Sequence, residues 1–288
     1  MRVFIIGASG LVGSNCLRHF TAQGWEVKGS YFSYAIDGLH YYNTLQPEDP
    51  GNFDIMGWQP DVLVHCGALT HVDYCETHEA ESFTQTVQST KNMTALANQC
   101  NARMVYLSTD YVFDGKDGPY KEGDALHPIS VYGKHKLEAE QWVLKEAQEA
   151  LVLRVTNIYG DEARGKNFVA RIVQQCREGK ELMLKLPYDQ FASPTNALDI
   201  AKAMHLLLRD DKAGIYHIGG TDYMNRVALA LRVLKYFPDA KYTLEPLSTL
   251  SLQQPAQRPL YGGFVTAKFS QEYPEYLFSN IADYLSGL

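Results

Sequence analysis

No run of basic residues interrupts this sequence. Acidic side chains outnumber basic ones, 33 Asp and Glu against 26 Lys and Arg, for a formal net charge of −7. Without a positive stretch the chain is a poor partner for nucleic acid or an anionic membrane, although a local pocket can still hold a small anion. Cysteine is sparse and scattered (Cys16, Cys66, Cys75, Cys100 and Cys176), odd in number and without a C-x-x-C pair. That pattern excludes a disulfide framework and sets the expectation of reduced thiols in a cytoplasmic protein. No stretch reaches the roughly 18 apolar residues of a membrane span. The opening MRVFIIGASG mimics a signal peptide, but its apolar run is short and glycines interrupt it, so none is expected. Internal repeats and low-complexity segments are absent as well.

What is present is an ordinary globular composition over 288 residues, enough for one large domain or two coupled ones. Apolar runs at 2–6, 25–31, 61–66, 102–108 and 150–155 read as strands. Stretches of helical length lie between them at 11–23, 46–58, 73–100 (broken near Thr77) and 128–148. Strands apolar on both faces, alternating with helices, predict an α/β fold with a doubly wound parallel sheet of the Rossmann type. Beyond residue 160 the alternation loosens, with helices expected at 166–178, 197–209 and 223–236 and short strands near 182–186, 214–218 and 241–245. The expected division is a nucleotide-binding domain over 1–160, including elements around 191–218, and a smaller α/β substrate lobe over most of 161–288. Ligands of such sheets sit at the carboxyl ends of the strands, between the lobes.

The first strand runs into IIGASGLVGSN, with Gly7, Gly10 and Gly13 spaced G-x-x-G-x-x-G before a helix. Gly7 can make the tight turn, Gly10 admits a phosphate to the backbone N–H groups, and Gly13 lets helix and sheet pack closely. A strand before and a helix after make this a dinucleotide site rather than a structural turn. The second strand ends GSYFSYA, without the acid that holds the ribose 2′-OH of NAD, so NADP(H) is favoured over NAD(H). It carries no arginine either, and Ser30, Tyr31 and Ser33 are left as hydrogen-bonding candidates for a phosphate, or as plain loop residues.

Tyr132, Lys136, Ala139 and Val143 form one stripe at helical spacing, with His135, Glu138 and Lys145 on other faces and Pro128 placed to start the helix. A lysine on an inward stripe is costly. An ammonium beside a phenol favours the phenolate, so Tyr132 is expected to have a lowered pKa and to serve as a general acid. A snorkelling lysine on an amphipathic helix is the alternative. LSTDYVFDG (107–115) leaves the fifth strand where the topology puts an active site. There Thr109 can donate to a substrate oxygen, or Ser108 and Thr109 can simply end the strand. HVDYCETH offers His71, Asp73, Cys75 and His78, but their spacing fits no zinc pattern and no metal is expected. Tyr188, Tyr223 and Tyr261 can stack on a sugar or base, or pack with the hydroxyl in water.

Taken together, GASGLVG (7–13), PDVLVHCGALTHVD (60–73), LSTDYVFDG (107–115), PYKEGD (119–124), HPISVYGKHKLEAE (127–140), LRVTNIYG (153–160), GKNFVARI (165–172) and DQFASPT (189–195) resemble the extended short-chain dehydrogenase/reductases. Within them the chain is most similar to the dTDP-4-dehydrorhamnose reductases and to the related β subunit of methionine adenosyltransferase. The resemblance implies a reductase of a nucleotide-linked 4-keto-6-deoxy sugar, with Thr109, Tyr132 and Lys136 catalytic. It also implies that Gly7, Ser9, Gly10, Leu11, Val12 and Gly13 hold the pyrophosphate. Asn43 and Thr44 would lie on the adenine side, Cys66, Gly67 and Ala68 by the ribose with Ser108, and Lys136 on the nicotinamide ribose. Asp110, Tyr111, Asn157, Asn167, Phe168 and Arg258 would meet the sugar nucleotide. Three departures stand out: Asn157 where the reductases have a tryptophan, QRPLYGG (257–263) without their asparagine, and, at the end of the second strand, none of the basic residues common in NADP users. The other functions the resemblance allows are an NADP-binding regulatory subunit without turnover and a sugar-nucleotide epimerase or dehydratase. A monomer or homodimer is expected.

Overall fold

The computed structural model describes residues 1–288. Strand β1 (Arg2–Ile6) shows why the sheet is central: Val3 and Ile5 point to one face, Phe4 and Ile6 to the other, and both faces are covered. The same alternation recurs along β2 (Glu26–Tyr31), β4 (Val62–His65), β5 (Arg103–Thr109) and β6 (Ala150–Val155), with a short β3 at His40–Tyr41. The sheet is wholly parallel, in the order Gly214–His217, β6, β5, β4, β1, β2, β3. Its order reverses beside β1, between β1 and β4, the position at which such sheets bind ligands at their carboxyl ends. The doubly wound fold expected from the sequence is what forms.

Helix α1 (Leu11–Ala22) covers one face together with Ala197–Arg209, whose Ile200, Met204 and Leu207 meet Val3, Ile5 and Phe20. The opposite face carries α2 (Ile55–Trp58), a broken helical run of α3 (Val72–Thr77), α4 (Glu79–Phe83) and α5 (Ser89–Gln99), and α6 (Val131–Glu146). Trp58, Met93, Leu96 and Val143 bury Phe4 and Ile6 there. A separate core lies in the C-terminal region, where Phe168–Arg177 and Arg226–Leu234 pack Val169, Ile172, Leu229 and Val233 over the parallel pair Leu182–Pro187 and Tyr242–Leu247. No helix is long and apolar enough to cross a membrane.

A late stretch of chain laces the two regions together. Phe191 N–H donates to Leu260 O (2.6 Å) and Gly262 N–H to Phe191 O (2.9 Å). Tyr261 N–H reaches Gly115 O (2.8 Å), Tyr120 N–H reaches Gly263 O (3.0 Å) and Val265 N–H reaches Tyr120 O (2.8 Å).

Three local expectations are corrected. Most of 46–58 is not helix: Asn52 accepts from Asn43 N–H (2.7 Å) and donates to Gln46 O (2.7 Å), and Asp49 accepts from Gly51 N–H (2.8 Å). These side chains, together with Pro47 and Pro50, outcompete helical bonds until Asp54 caps α2. Helix α6 begins at Val131 rather than Pro128, because Ser130 is its cap and accepts from Gly133 N–H (3.2 Å). His135 is buried, hydrogen-bonded to Ser82 (2.8 Å) and edge-on to Phe83, since α4 covers a face of α6 that the pattern left to solvent.

Candidate active site

Gly7 turns the chain at the end of β1 with a left-handed φ of +78°, and Gly10 N–H donates back to Gly7 O (3.0 Å). Ala8 N–H donates to Ser30 O (2.7 Å) and Gly7 N–H to Ser30 Oγ (3.4 Å), which ties the turn to β2. A Cβ on Gly13 would lie 2.4 Å from Gly7 O, so packing alone demands glycine there. Gly10 is different: a Cβ would approach only Gly7 O, at 3.3 Å, and would stand over the helix terminus. Gly10 caps α1 without a side-chain bond, so the first N–H groups of the helix remain available to an anion. Ser9, Leu11 and Val12 complete the turn, with Gly67 packed beside Gly7 and flanked by Cys66 and Ala68 at the end of β4. Burial pushes the Cys66 thiol up to about 12, against the pull of Lys136.

The adenine-side expectations land less directly. Ser30 is buried and its oxygen is engaged by the turn, while Tyr31 packs edge-on to Tyr41. Asn43 accepts from Leu45 N–H (3.0 Å), and Thr44 Oγ1 accepts from Ser89 Oγ (2.7 Å), so both are tied to their own loop and to α5.

Gly133 explains how the catalytic candidates meet. A Cβ there would sit 2.3 Å from Tyr111 O, so only glycine lets α6 lie against the exit of β5. Val131 N–H is held by Glu76 (3.0 Å), and the Tyr132 ring stands 5.5 Å from that of Tyr111. Thr109 Oγ1 accepts from Tyr111 N–H (3.3 Å) and donates to Asp110 (3.3 Å). Lys136 is 4% exposed: its Nζ donates to Leu107 O (2.5 Å) and lies 4.0 Å over the Tyr106 ring. No carboxylate pairs with it, and burial lowers its pKa to about 7 although Glu140 pulls the other way. The lowered phenol expected for Tyr132 is corrected. Burial drives it above the ordinary tyrosine value, a contact with the Thr109 hydroxyl only partly offsets this, and the ammonium is committed to the Leu107 carbonyl. Beside it the Ser108 hydroxyl is buried without a partner, as is the Tyr106 hydroxyl. An uncapped helix terminus over an open Gly10, an unpaired buried lysine and an orphaned serine hydroxyl at one sheet edge fit a pyridine dinucleotide.

Next to this corner lies a cavity of about 510 Å³, walled by Tyr111, Asn157 and Phe168, with Arg171, Lys185, Arg226 and Arg258 around it. Asn157 adopts φ +41° and accepts from Arg226 (2.5 Å), whose guanidinium lies 5.1 Å over the Phe168 ring. Arg258 pairs with Asp73 (2.7 Å) and leaves Nη1 buried without a partner. Two of the substrate candidates stand apart from the cavity. Asp110 is buried behind it, accepting from Thr156 (2.6 Å) and Gly263 N–H (3.2 Å), its carboxyl raised by burial. Asn167 caps its helix, accepting from Ala170 N–H (2.9 Å) and donating to Gly160 O (2.9 Å). Sequence reasoning missed Arg171, Lys185 and Arg226, which come from three separate elements; no local pattern marks them. Of the HVDYCETH set, His71 caps α3, Asp73 serves Arg258, Cys75 is buried and His78 stacks on Tyr74.

The chain is 31% identical over 263 residues to methionine adenosyltransferase 2 subunit beta of Bos taurus, covering 90% of this chain and 78% of that one. It is 27% identical over 292 residues to the dTDP-4-dehydrorhamnose reductase of Escherichia coli strain K12, covering 95% and 92%. Its structure superposes on a dTDP-4-dehydrorhamnose reductase of Bacillus anthracis strain Ames solved in complex with NADP, with a TM-score of 0.85, 24% identity and coverage of 99% and 97%. Residues 1–278 match the family described as RmlD substrate binding domain, and the chain belongs to that family.

Proposed function

We propose that the protein is an NADP(H)-dependent reductase of a nucleotide-linked 4-keto-6-deoxy sugar. The carrying observation is the meeting of Thr109, Tyr132 and the unpaired Lys136 at the end of β5, against a cavity ringed by cations. NADPH, when bound, supplies the hydride. Thr109 donates to the carbonyl oxygen and orients it. Tyr132, whose burial keeps it protonated at neutral pH, delivers the proton to that oxygen. Lys136 gives one N–H to the Leu107 carbonyl and uses the others to bond the nicotinamide ribose and to stabilise the phenolate left after proton transfer. Arg226, Arg258 and Tyr111 wall the sugar-nucleotide site, and the glycine turn holds the pyrophosphate. The strand-two end without an acid, GSYFSYA, favours NADP(H) over NAD(H). We assign 1–160 with the elements around 191–218 to the cofactor domain and most of 161–288 to the substrate lobe. Purified protein given dTDP-4-dehydrorhamnose and NADPH should consume the reduced nicotinamide absorbance; no loss of that absorbance rejects the substrate.

A second reading is a regulatory subunit that binds NADP without turnover. Its similarity to the methionine adenosyltransferase subunit supports it, as does Asn157, a departure from the reductase pattern, accepting from Arg226. Recovery in fixed stoichiometry with a methionine adenosyltransferase catalytic subunit, with no reductase turnover, would favour this reading over the first.

A further inference from the structure

The end of β2 carries no arginine or lysine, although a 2′-phosphate there needs a cation. The structure brings one from elsewhere. The loop after Ile158–Tyr159, residues 160–167, is fastened to the first turns of α1. The buried Asn15 of α1 donates to Asp161 O (3.0 Å) and to Leu11 O (2.8 Å). From that loop Arg164 extends to β2's outgoing segment, where its guanidinium carbon lies 5.2 Å over the ring of Tyr34, three residues past the strand.

Arg164 is not there to neutralise a carboxylate. Asp161 accepts from the Tyr284 hydroxyl (2.9 Å), and Glu162 accepts from Asn167 N–H (2.6 Å) and its side-chain amide (2.8 Å), so both acids of the loop are engaged elsewhere. The Nε of Arg164 is buried without a hydrogen-bond partner. A guanidinium held against an aromatic ring, with a donor to spare and its acidic neighbours occupied, is prepared for an anion.

We propose that Arg164 is the specificity residue for the cofactor's 2′-phosphate, supplied from the loop 160–167 beside α1 in place of a basic residue at the end of β2. The inference rests on the assignment of a pyridine dinucleotide to the glycine turn and refines it. Arg164 donates to the phosphate oxygens while Tyr34 holds its plane, and Ser33 stands one residue nearer the strand as a further hydroxyl donor.

Equilibrium binding on the full chain tests this, by fluorescence titration with NADPH and NADH for wild type, Arg164→Gln and Arg164→Lys. Wild type should bind NADPH more tightly than NADH. Arg164→Gln should lose about 10- to 100-fold in NADPH affinity, the usual scale for removing one partner of a charge-assisted contact, and keep NADH within about twofold. Arg164→Lys, which keeps the charge, should retain most of the preference. Competition by 2′,5′-ADP against 5′-AMP should follow the same order, independent of the nicotinamide. If Arg164→Gln weakens both dinucleotides alike, the side chain packs on the adenine and the proposal is wrong. It is equally wrong if neither affinity changes while wild type still prefers NADPH. A wild type that does not prefer NADPH removes the cofactor assignment itself, a failure seen before any variant is compared.

Discussion

Helix α6 carries one buried cation and packs against another, and the protein treats them oppositely. Towards its C-terminal half, Glu140 meets Arg154 of β6, with Nη2 2.5 Å and Nε 3.1 Å from the two carboxylate oxygens, and both side chains are about 1% exposed. Arg154 Nη1 also reaches Glu122 O (3.3 Å) and His217 Nε2 (3.2 Å), whose Nδ1 faces Tyr120 O (3.0 Å). One turn earlier, Lys136 has a carbonyl and an aromatic ring and no carboxylate. The first charge is satisfied by the fold, and losing a partner there damages the fold. The second is satisfied only in part, a cost to folding that makes sense if the amine serves chemistry.

Tyr132→Phe should cut turnover by about 10²- to 10⁴-fold, the range of one general acid, while NADPH affinity stays within a few-fold. Steady-state rates and a binding titration measure the two, and near-normal turnover would remove the acid from the proposed chemistry. Glu140→Gln should cost about 3–5 kcal/mol of stability in urea unfolding, because it strands a buried guanidinium. A loss under about 1 kcal/mol would mean that the pair is not the structural half of the contrast. Lys136→Met should show the reverse, with stability equal or higher and both NADPH affinity and turnover reduced. Destabilisation as large as that of Glu140→Gln would erase the distinction between the two cations.

The smallest expected effect is on pH. Lys136 titrates near 7 in the folded chain against an ordinary 10.5, so between these values the unfolded state binds more protons. Its penalty is complete below about pH 7 and is relieved as pH rises towards 10.5. Without ligand, the stability gap between Lys136→Met and wild type should therefore be widest at pH 6.5 to 7 and narrow by pH 9.5. A gap constant across that window would show that the amine is not held at a depressed pKa.

Much of this arrangement is legible in the residues. Strands buried on both faces declare themselves as apolar runs, and the turn at Gly7 and the Tyr132–Lys136 spacing are local facts of sequence. What escapes is decided by partners far along the chain. Arg171, Lys185, Arg226 and Arg258 become one cluster only after the C-terminal region folds. The burial of His135 depends on Ser82 and Phe83. The Tyr132 shift runs opposite to the expectation because spacing reveals a nearby charge but not that a carbonyl from β5 engages it, nor how fully the phenol is desolvated. The loop before α2 misleads for the opposite reason, since its asparagine side chains take backbone bonds that a helix would need.

The lacing by residues 259–265 bears on how the molecule comes into being. Six of the seven sheet strands are complete by Val155, and the seventh by His217, yet Gly115, Tyr120 and Phe191 wait for backbone partners that the ribosome delivers only after all seven. A nascent chain can thus close its central sheet while the C-terminal region still lacks these backbone bonds, and grafting a foreign pocket onto this sheet would have to carry that thread along with it.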